Sequence, residues 1–183
     1  MLHRLPGMPD SSLLASSQEA LARALRQEGL RLLVRREHSR AELRQKLGQY
    51  LNKAPAAVEL DENIRTELLE AALDALNDKR WQSDERFAQQ RVTQRGKRYG
   101  NQRLKQELAQ RGVDSETIES ALETGESELA RCHQVWLKKF GGPASDREGL
   151  AKQLRFLQYR GFSGDIIRRV LNNDLSDADS FEQ

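Results

Sequence analysis

An internal repeat constrains this chain more than any single residue does. The segment Arg111-Gly112-Val113-Asp114, with Ile118 and Leu122, recurs 49 positions later as Arg160-Gly161-Phe162-Ser163, with Ile167 and Leu171. In each copy a glycine stands where a helix is expected to end, because glycine adopts positive φ without strain. An Asp or Ser then caps the next helix, and apolar residues flank that cap at the spacing of a hydrophobic staple. Such a repeat predicts stacked helical units.

Helical periodicity along the rest of the chain predicts nine helices in three tandem three-helix repeats, with negligible strand. The predicted fold class is all-α, an elongated array in which each unit buries its apolar stripe against a neighbour. The alternative is a compact helical bundle whose parts are only incidentally similar. The predicted organisation is a disordered arm over 1–17, repeats over 18–78, 79–124 and 125–172, and an acidic disordered tail over 173–183.

Local signals place the first helices. A helix is expected from about Gln18, although Gly29 weakens its middle by up to about 1 kcal/mol relative to alanine. Tertiary packing must therefore hold that turn. Ser39-Arg40-Ala41-Glu42 has the form of a capping box that opens the second helix. The segment Gly48–Glu59, which contains Pro55, is predicted to be a loop.

Composition excludes several classes of protein. Hydrophobic residues make up 37% of the chain and charged residues 32%, which favours a helix-rich globular protein. No run of about 18 apolar residues is available for a transmembrane helix. The N-terminal residues lack the hydrophobic region of a signal peptide, so a cytoplasmic location is expected. Cys132 is the single cysteine, which excludes an internal disulfide framework and a cysteine-based zinc cluster.

The sequence offers little for catalysis. Cys132 and His133 are adjacent on a predicted helix, so their side chains diverge and cannot form a nucleophile–base pair directly. Two-histidine zinc motifs and glycine-rich phosphate loops are absent. We therefore predict no catalytic residue, no metal site and no cofactor, and we expect a protein that is not an enzyme.

Charge is strongly segregated although the net charge is only +2. The segment Lys79–Arg111 holds ten Lys or Arg and three Asp or Glu. On either side, Glu59–Asp78 has seven acids and one base, and Gly112–Ala130 has six acids and no base. Two interpretations stay open, because interaction surfaces and alternating solvated helix faces give similar counts.

The basic segment contains the candidate contact residues. Arg91, Arg95 and Arg98 recur at helical spacing, which predicts that they share one face. The patch is expected to continue around the corner that follows this helix, through Lys97, Arg103, Lys105 and Arg111. Guanidinium groups suit both phosphate oxygens and carboxylates, so a nucleic-acid backbone and an acidic protein surface both fit. Tyr99 and Trp81 fit either base stacking or packing between helices.

These residues resemble the RecX family of bacterial recombination regulators. The matching stretches are Leu33–Ser39 with Glu42-Leu43 and Lys46-Leu47; Ser83-Asp84-Glu85-Arg86-Phe87-Ala88; Arg95 through Tyr99-Gly100, Arg103-Leu104, Glu107-Leu108 and Arg111-Gly112-Val113; and Leu154 with Arg160-Gly161-Phe162-Ser163 and Ile167. The resemblance implies three three-helix repeats that bind RecA and the RecA–DNA filament. It also implies modulation, usually inhibition, of recombinase, ATPase and coprotease activity, within homologous recombination, DNA repair and the SOS response.

The resemblance supplies no catalytic residue, and the chain departs from the family in its long Gly48–Glu59 segment, its Gly141-Gly142-Pro143 corner and its N-terminal arm. We expect a monomer whose partners are RecA and its filament, and direct contact with the DNA backbone stays open. The competing function is sequence-independent coating of single-stranded DNA. The candidate filament contacts are Arg91, Arg95, Arg98, Arg103 and Lys105, followed by Arg35 and Arg36.

Overall fold

The computed structural model describes residues 11–58 and 60–178, with side chains between positions 15 and 172. Within those ranges the chain forms nine α-helices and one 3₁₀ turn, and no strand. The helices are α1 Ser11–Leu33, α2 Arg40–Lys53, α3 Glu62–Asp78, α4 Asp84–Gly96, α5 Asn101–Ala109, α6 Ser115–Glu123, α7 Glu128–Phe140, α8 Arg147–Tyr159 and α9 Gly164–Ala178. The prediction of an all-α helical repeat fold is confirmed.

The helices pack in three consecutive trios, α1–α3, α4–α6 and α7–α9. Each trio encloses its own cluster of buried side chains. The expectation that each unit buries its stripe against a neighbouring unit is therefore wrong. Three amphipathic helices can turn their apolar stripes towards a shared centre, which satisfies them inside the trio. The chain also divides into two compact units, Met1–Ser83 with the first trio and Asp84–Gln183 with the second and third.

Two predicted boundaries in the first unit are corrected. Helix α1 begins at Ser11 rather than near Gln18, because extending an existing helix costs far less than nucleating one. The predicted loop starting at Gly48 is helical to Lys53, and the extra turn buries Leu51. Residues 1–10 of the predicted disordered arm lie outside the described residues.

Close packing holds α1 where glycine weakens it. A Cβ atom added to Gly29 would lie 2.5 Å from Cδ1 of Leu76, so α1 and α3 approach closely at this point. The predicted Ser39 cap is confirmed, since its hydroxyl accepts a hydrogen bond from the backbone N–H of Glu42 at 3.1 Å, whereas the reciprocal Glu42 half of the capping box stays a prediction. Beside it, His38 is buried, with Nδ1 3.0 Å from Oε2 of Glu42. Burial lowers the pKa of His38, and the charge of Arg36 lowers it further.

The repeated turns have the predicted backbone. Gly112 and Gly161 have φ of 74° and 81°, in the left-handed region. The Asp114 side chain caps α6 by accepting from the N–H of Thr117 at 2.9 Å, whereas the Ser163 cap stays a prediction. The four apolar residues that flank the caps are all buried: Val113, Ile118, Phe162 and Ile167.

The end of α9 differs from the predicted tail. The helix continues to Ala178, so the chain beyond position 172 begins in helical backbone and not in the disordered segment expected there. The remaining tail residues, 179–183, lie outside the described residues.

Candidate functional site

Two backbone turns meet where the second and third trios join. The N–H of Gly100 donates to the carbonyl of Arg160 at 3.0 Å, and the N–H of Gln102 donates to the carbonyl of Gly161 at 3.1 Å. These bonds satisfy N–H groups at the start of α5, which lack partners within the helix. A Cβ atom on Gly100 would lie 2.3 Å from the oxygen of Gly161. The contact is therefore backbone against backbone and has no room for a side chain at position 100.

A buried arginine reinforces this junction. Arg131 is only 4% exposed, and its guanidinium donates to the carbonyls of Tyr99 at 2.9 Å and Glu126 at 3.0 Å. It also donates to the side chain of Asn101, whose own N–H donates to Glu128 Oε1 at 2.8 Å. These bonds hold the end of α4 and the start of α5 against α7.

The junction gathers arginines around one tyrosine. The guanidinium carbons of Arg103, Arg95 and Arg160 lie 4.3, 4.6 and 5.4 Å from the ring centroid of Tyr99. We call these three arginines around Tyr99, together with Arg98, whose carbonyl accepts from the Arg160 guanidinium at 3.5 Å, the basic corner. Guanidinium groups attract the faces of aromatic rings, and the ring also packs against the core of the second trio. The Tyr99 ring is thus partly buried and already in contact with side chains of its own protein, which favours the packing interpretation over base stacking.

Carboxylates neutralise part of the predicted patch. Glu107 lies 2.6 Å from Arg91 and 3.2 Å from Arg95, and Glu119 lies 2.6 Å from Lys105. Within the described residues, Arg98 and Arg103 have no carboxylate within salt-bridge distance. The patch is therefore less cationic than its sequence indicates, and its unbalanced charge lies on these two guanidinium groups and on Lys97, which also has no carboxylate partner among the described residues.

The remaining two candidates lie in the other compact unit. Arg36 pairs with Oε2 of Glu42 at 3.0 Å and donates to the carbonyl of Glu37 at 2.9 Å. Arg35 is exposed in the turn after α1. Trp81, also in this unit, is 43% exposed with Nζ of Lys79 5.0 Å from its ring. It is therefore not a fully packed core residue.

A basic groove runs between the second and third trios, with a volume of about 680 Å³. Its cationic lining is Lys97, Arg98, Lys138, Lys139 and Arg160, and the rest is Glu126, Gln134, Val135 and Phe156. The predicted patch is divided between two pockets, because Arg95 and Arg103 line a separate, smaller pocket of about 200 Å³ with Glu107.

Sequence reasoning missed two residues of this groove and gave a third only a structural role. The adjacent lysines Lys138 and Lys139 lie in the last turn of α7, where cations ordinarily complement the helix dipole. Arg160 has the same local explanation. No pattern along the chain indicates that these three side chains meet Lys97 and Arg98, since that depends on how the trios join.

In the described residues, Cys132 is not placed as a reactive thiol, and no metal-binding cluster is present. Cys132 is fully buried, and burial raises the pKa of its thiol to about 12. The adjacent His133 packs instead near Trp136, with ring centroids 5.6 Å apart. In the part of the chain that the structure describes, no group of three or more His, Cys, Asp or Glu is placed to hold a metal ion. None of the helices in that part has the length and apolarity needed to cross a bilayer.

Comparison with known protein families identifies the family to which the chain is similar. Residues 83–122 match the family described as "RecX, second three-helix domain", and residues 126–171 match "RecX, third three-helix domain". A protein named regulatory protein RecX from Chromobacterium violaceum is 44% identical over 158 residues, which cover 86% of this chain and 95% of that protein. Proteins of the same name from Ralstonia nicotianae and Neisseria meningitidis (serogroup C) are 41% and 37% identical, over 81% and 82% of this chain and 86% and 91% of theirs. The resemblance drawn from the sequence is confirmed.

Solved structures show the same fold. The crystal structure of RecX from Lactobacillus salivarius superposes with a TM-score of 0.65 at 19% identity, covering 87% of this chain and 97% of that one. A second crystal structure, titled regulatory protein RecX, superposes with a TM-score of 0.70 at 18% identity, covering 94% and 81%. At these identities the likeness establishes the fold alone.

Proposed function

This chain belongs to the RecX family of regulatory proteins, and from that membership we propose that it binds RecA and the RecA–DNA filament. In this proposal the bound chain inhibits the recombinase, ATPase and coprotease activities. It acts as a monomeric, non-enzymatic regulator in the cytoplasm, within recombination, DNA repair and the SOS response. Its functional repeats are residues 18–78, 79–124 and 125–172.

The observation that carries the proposed contact surface is the unbalanced charge of the basic corner. Arg98 and Arg103 lack carboxylate partners within the described residues, while the backbone around them is fixed by the Gly100–Arg160 hydrogen bond. Planar guanidinium groups that extend from a fixed backbone suit bidentate recognition of carboxylates or phosphates. A filament of protein and DNA presents both. Arg91, Arg95 and Lys105 belong to the proposed surface with their charge partly satisfied, and Arg35 and Arg36 form a second contact in the first unit.

The proposed mechanism depends on repetition. Each subunit of a filament repeats the same surface, so a chain of three repeats can make several contacts at once and gain avidity that a free subunit cannot offer. Binding alters filament dynamics only if the chain has different affinities for the assembled and disassembled states, or displaces a competing partner. Occupying a surface needed by incoming DNA, repressor or subunits then lowers activity.

The test compares retention of the chain on free RecA and on nucleotide-loaded RecA–DNA filaments. We expect the wild-type chain to be retained on filaments. Arg98→Glu/Arg103→Glu is expected to lose most of that retention while keeping its helical circular dichroism. The matched control is Lys152→Glu/Arg155→Glu, which makes the same charge change at two exposed positions of α8 outside both the corner and the groove.

Two results would contradict the proposal. If the wild-type chain is not retained on filaments, the proposed partner is wrong. If the corner variant and the control are retained equally well, the basic corner is not the contact. Coating of single-stranded DNA instead predicts equal binding to DNA with and without RecA, falling steeply as salt rises.

A further inference from the structure

We propose that the basic groove between the second and third trios binds an acidic peptide segment of a protein partner, with one apolar side chain between its carboxylates. This inference rests on the proposed function and deepens it, because it names the chemistry of the segment that the partner presents. The groove shares Arg98 and Arg160 with the basic corner, so it is tested through Lys138 and Lys139, which lie outside the corner.

The charge of the groove favours an anionic ligand. Five cationic side chains line it against one carboxylate, Glu126. That carboxylate is engaged, since Gln134 Nε2 donates to Glu126 Oε1 at 2.8 Å. The exposed lysines Lys138 and Lys139 bring their charges from the end of α7. Like charges gathered along a concave wall attract an oppositely charged segment.

The apolar part of the groove favours a peptide over a nucleic-acid strand. Val135 and Phe156 line it among the cations, which suits one apolar side chain. Non-specific single-strand binding relies on open aromatic faces for base stacking. The Phe156 ring is already engaged, edge-to-face with Phe140 at 5.3 Å and under the guanidinium of Arg160 at 5.0 Å. Carboxylates with an apolar anchor therefore fit this lining better than stacked bases.

The groove is also held in shape before any partner arrives. The backbone of Arg160 accepts from Gly100 at 3.0 Å, and Arg131 ties α7 to the carbonyl of Tyr99 at 2.9 Å. Both contacts join the walls that the second and third trios contribute. A preformed groove of this size lies within the usual range for ligand sites, and little reorganisation opposes binding.

The experiment measures fluorescence anisotropy of three labelled probes with the full chain. The first is a short peptide of Asp and Glu with one central leucine, the second has serine in place of that leucine, and the third is oligothymidylate. We expect the leucine peptide to bind most tightly. Lys138→Glu/Lys139→Glu should weaken it by about tenfold, because reversing two charges removes two attractions and adds two repulsions. The control Lys152→Glu/Arg155→Glu should retain wild-type affinity for the leucine peptide.

A second variant, which neutralises the two lysines instead of reversing their charge, distinguishes loss of binding from misfolding. Lys138→Gln/Lys139→Gln removes the charges without adding carboxylates at a helix end, and it should lose part of the peptide affinity while keeping its circular dichroism. Equal affinity of the wild-type chain and both lysine variants for the leucine peptide would overturn the proposal. So would a loss confined to oligothymidylate, which assigns the groove to nucleic acid.

The chain's own acidic tail is the remaining competitor for the groove. Replacing the four tail carboxylates by amides should leave peptide affinity unchanged; a rise of about tenfold would make the tail the occupant and overturn the proposal. The substituted positions are Asp174, Asp177, Asp179 and Glu182. The probe measurements use no RecA, so failure of the groove is distinguished from failure of filament binding.

Discussion

Gly100→Ala should damage the junction between the second and third trios although the substitution is chemically small. The backbone of Gly100 has φ −80° and ψ 173°, which alanine adopts without strain. All of the cost is therefore steric. The new Cβ would lie 2.3 Å from the oxygen of Gly161 and 2.4 Å from Cα of Phe162. These are backbone atoms, so relief requires the two turns to separate by about 1 Å.

That separation would break the two backbone hydrogen bonds that Gly100 and Gln102 make to the opposite turn. Each is worth roughly 1 kcal/mol net, and more if a buried N–H is left without a partner. Replacing glycine by alanine also lowers the conformational entropy of the unfolded state, which stabilises the folded state by about 0.4–1 kcal/mol and offsets part of this loss. Forcing a methyl group between the two backbones adds about 1–3 kcal/mol of overpacking strain. The expected net loss is therefore about 2–4 kcal/mol in the free energy of unfolding of the second unit.

The assay is urea unfolding followed by the fluorescence of Trp136, which is fully buried in the third trio. A Trp81→Phe background makes Trp136 the sole tryptophan, because the chain has two. The midpoint should fall by roughly 1–2 M urea, given typical slopes for small domains. The control Gly164→Ala meets no atom within 4 Å and should be neutral or slightly stabilising. Equal midpoints for Gly100→Ala and Gly164→Ala would refute the reasoning.

Three further predictions follow from single side chains. Burial lowers the pKa of His38 below its usual 6.5, so near that pH the unfolded state binds more protons than the folded state. The first unit should therefore lose stability as the pH falls through about 6.5. In urea titrations, His38→Asn should reduce this dependence of stability on pH, and an unchanged dependence would exclude His38 as its cause. With its pKa raised to about 12, the Cys132 thiol should react with a disulfide reagent only as fast as the protein opens, and rapid labelling of the native chain would contradict its burial. Glu107→Gln removes the carboxylate that pairs with Arg91 and Arg95. Because the two guanidinium groups then keep their full charge, filament binding measured by co-sedimentation should tighten severalfold. Weaker binding would instead show that the ion pairs hold the basic corner in its binding conformation.

Local features of the fold could be predicted because their causes are local. The left-handed glycines at 112 and 161, the Ser39 cap and the Asp114 cap each depend on a few neighbouring residues. The start of α1 was missed because periodicity is uninformative along a solvent-exposed stretch, and residues 15–17 are exposed. The C-terminal end of α2, from Gly48 to Lys53, was missed because a glycine and a proline outweighed Leu51, whose burial depends on tertiary packing.

The candidate site could be predicted only in part. The arginines of α4 and α5 stand out along the chain, but their ion pairs with Glu107 and Glu119 join residues up to 16 positions apart. The groove depends on the junction at Gly100, whose role follows from a contact with residues about 60 positions later. Long-range contacts of this kind leave no periodic signal in the sequence.

RecA-driven strand exchange at two DNA concentrations, titrated with this chain, tests the central claim most directly. If the chain acts on the RecA filament, the amount needed for half-inhibition should follow the concentration of RecA and stay the same when DNA is added in excess. If that amount instead rises in proportion to the DNA, the chain acts by coating DNA, and binding to the RecA filament is not how it inhibits.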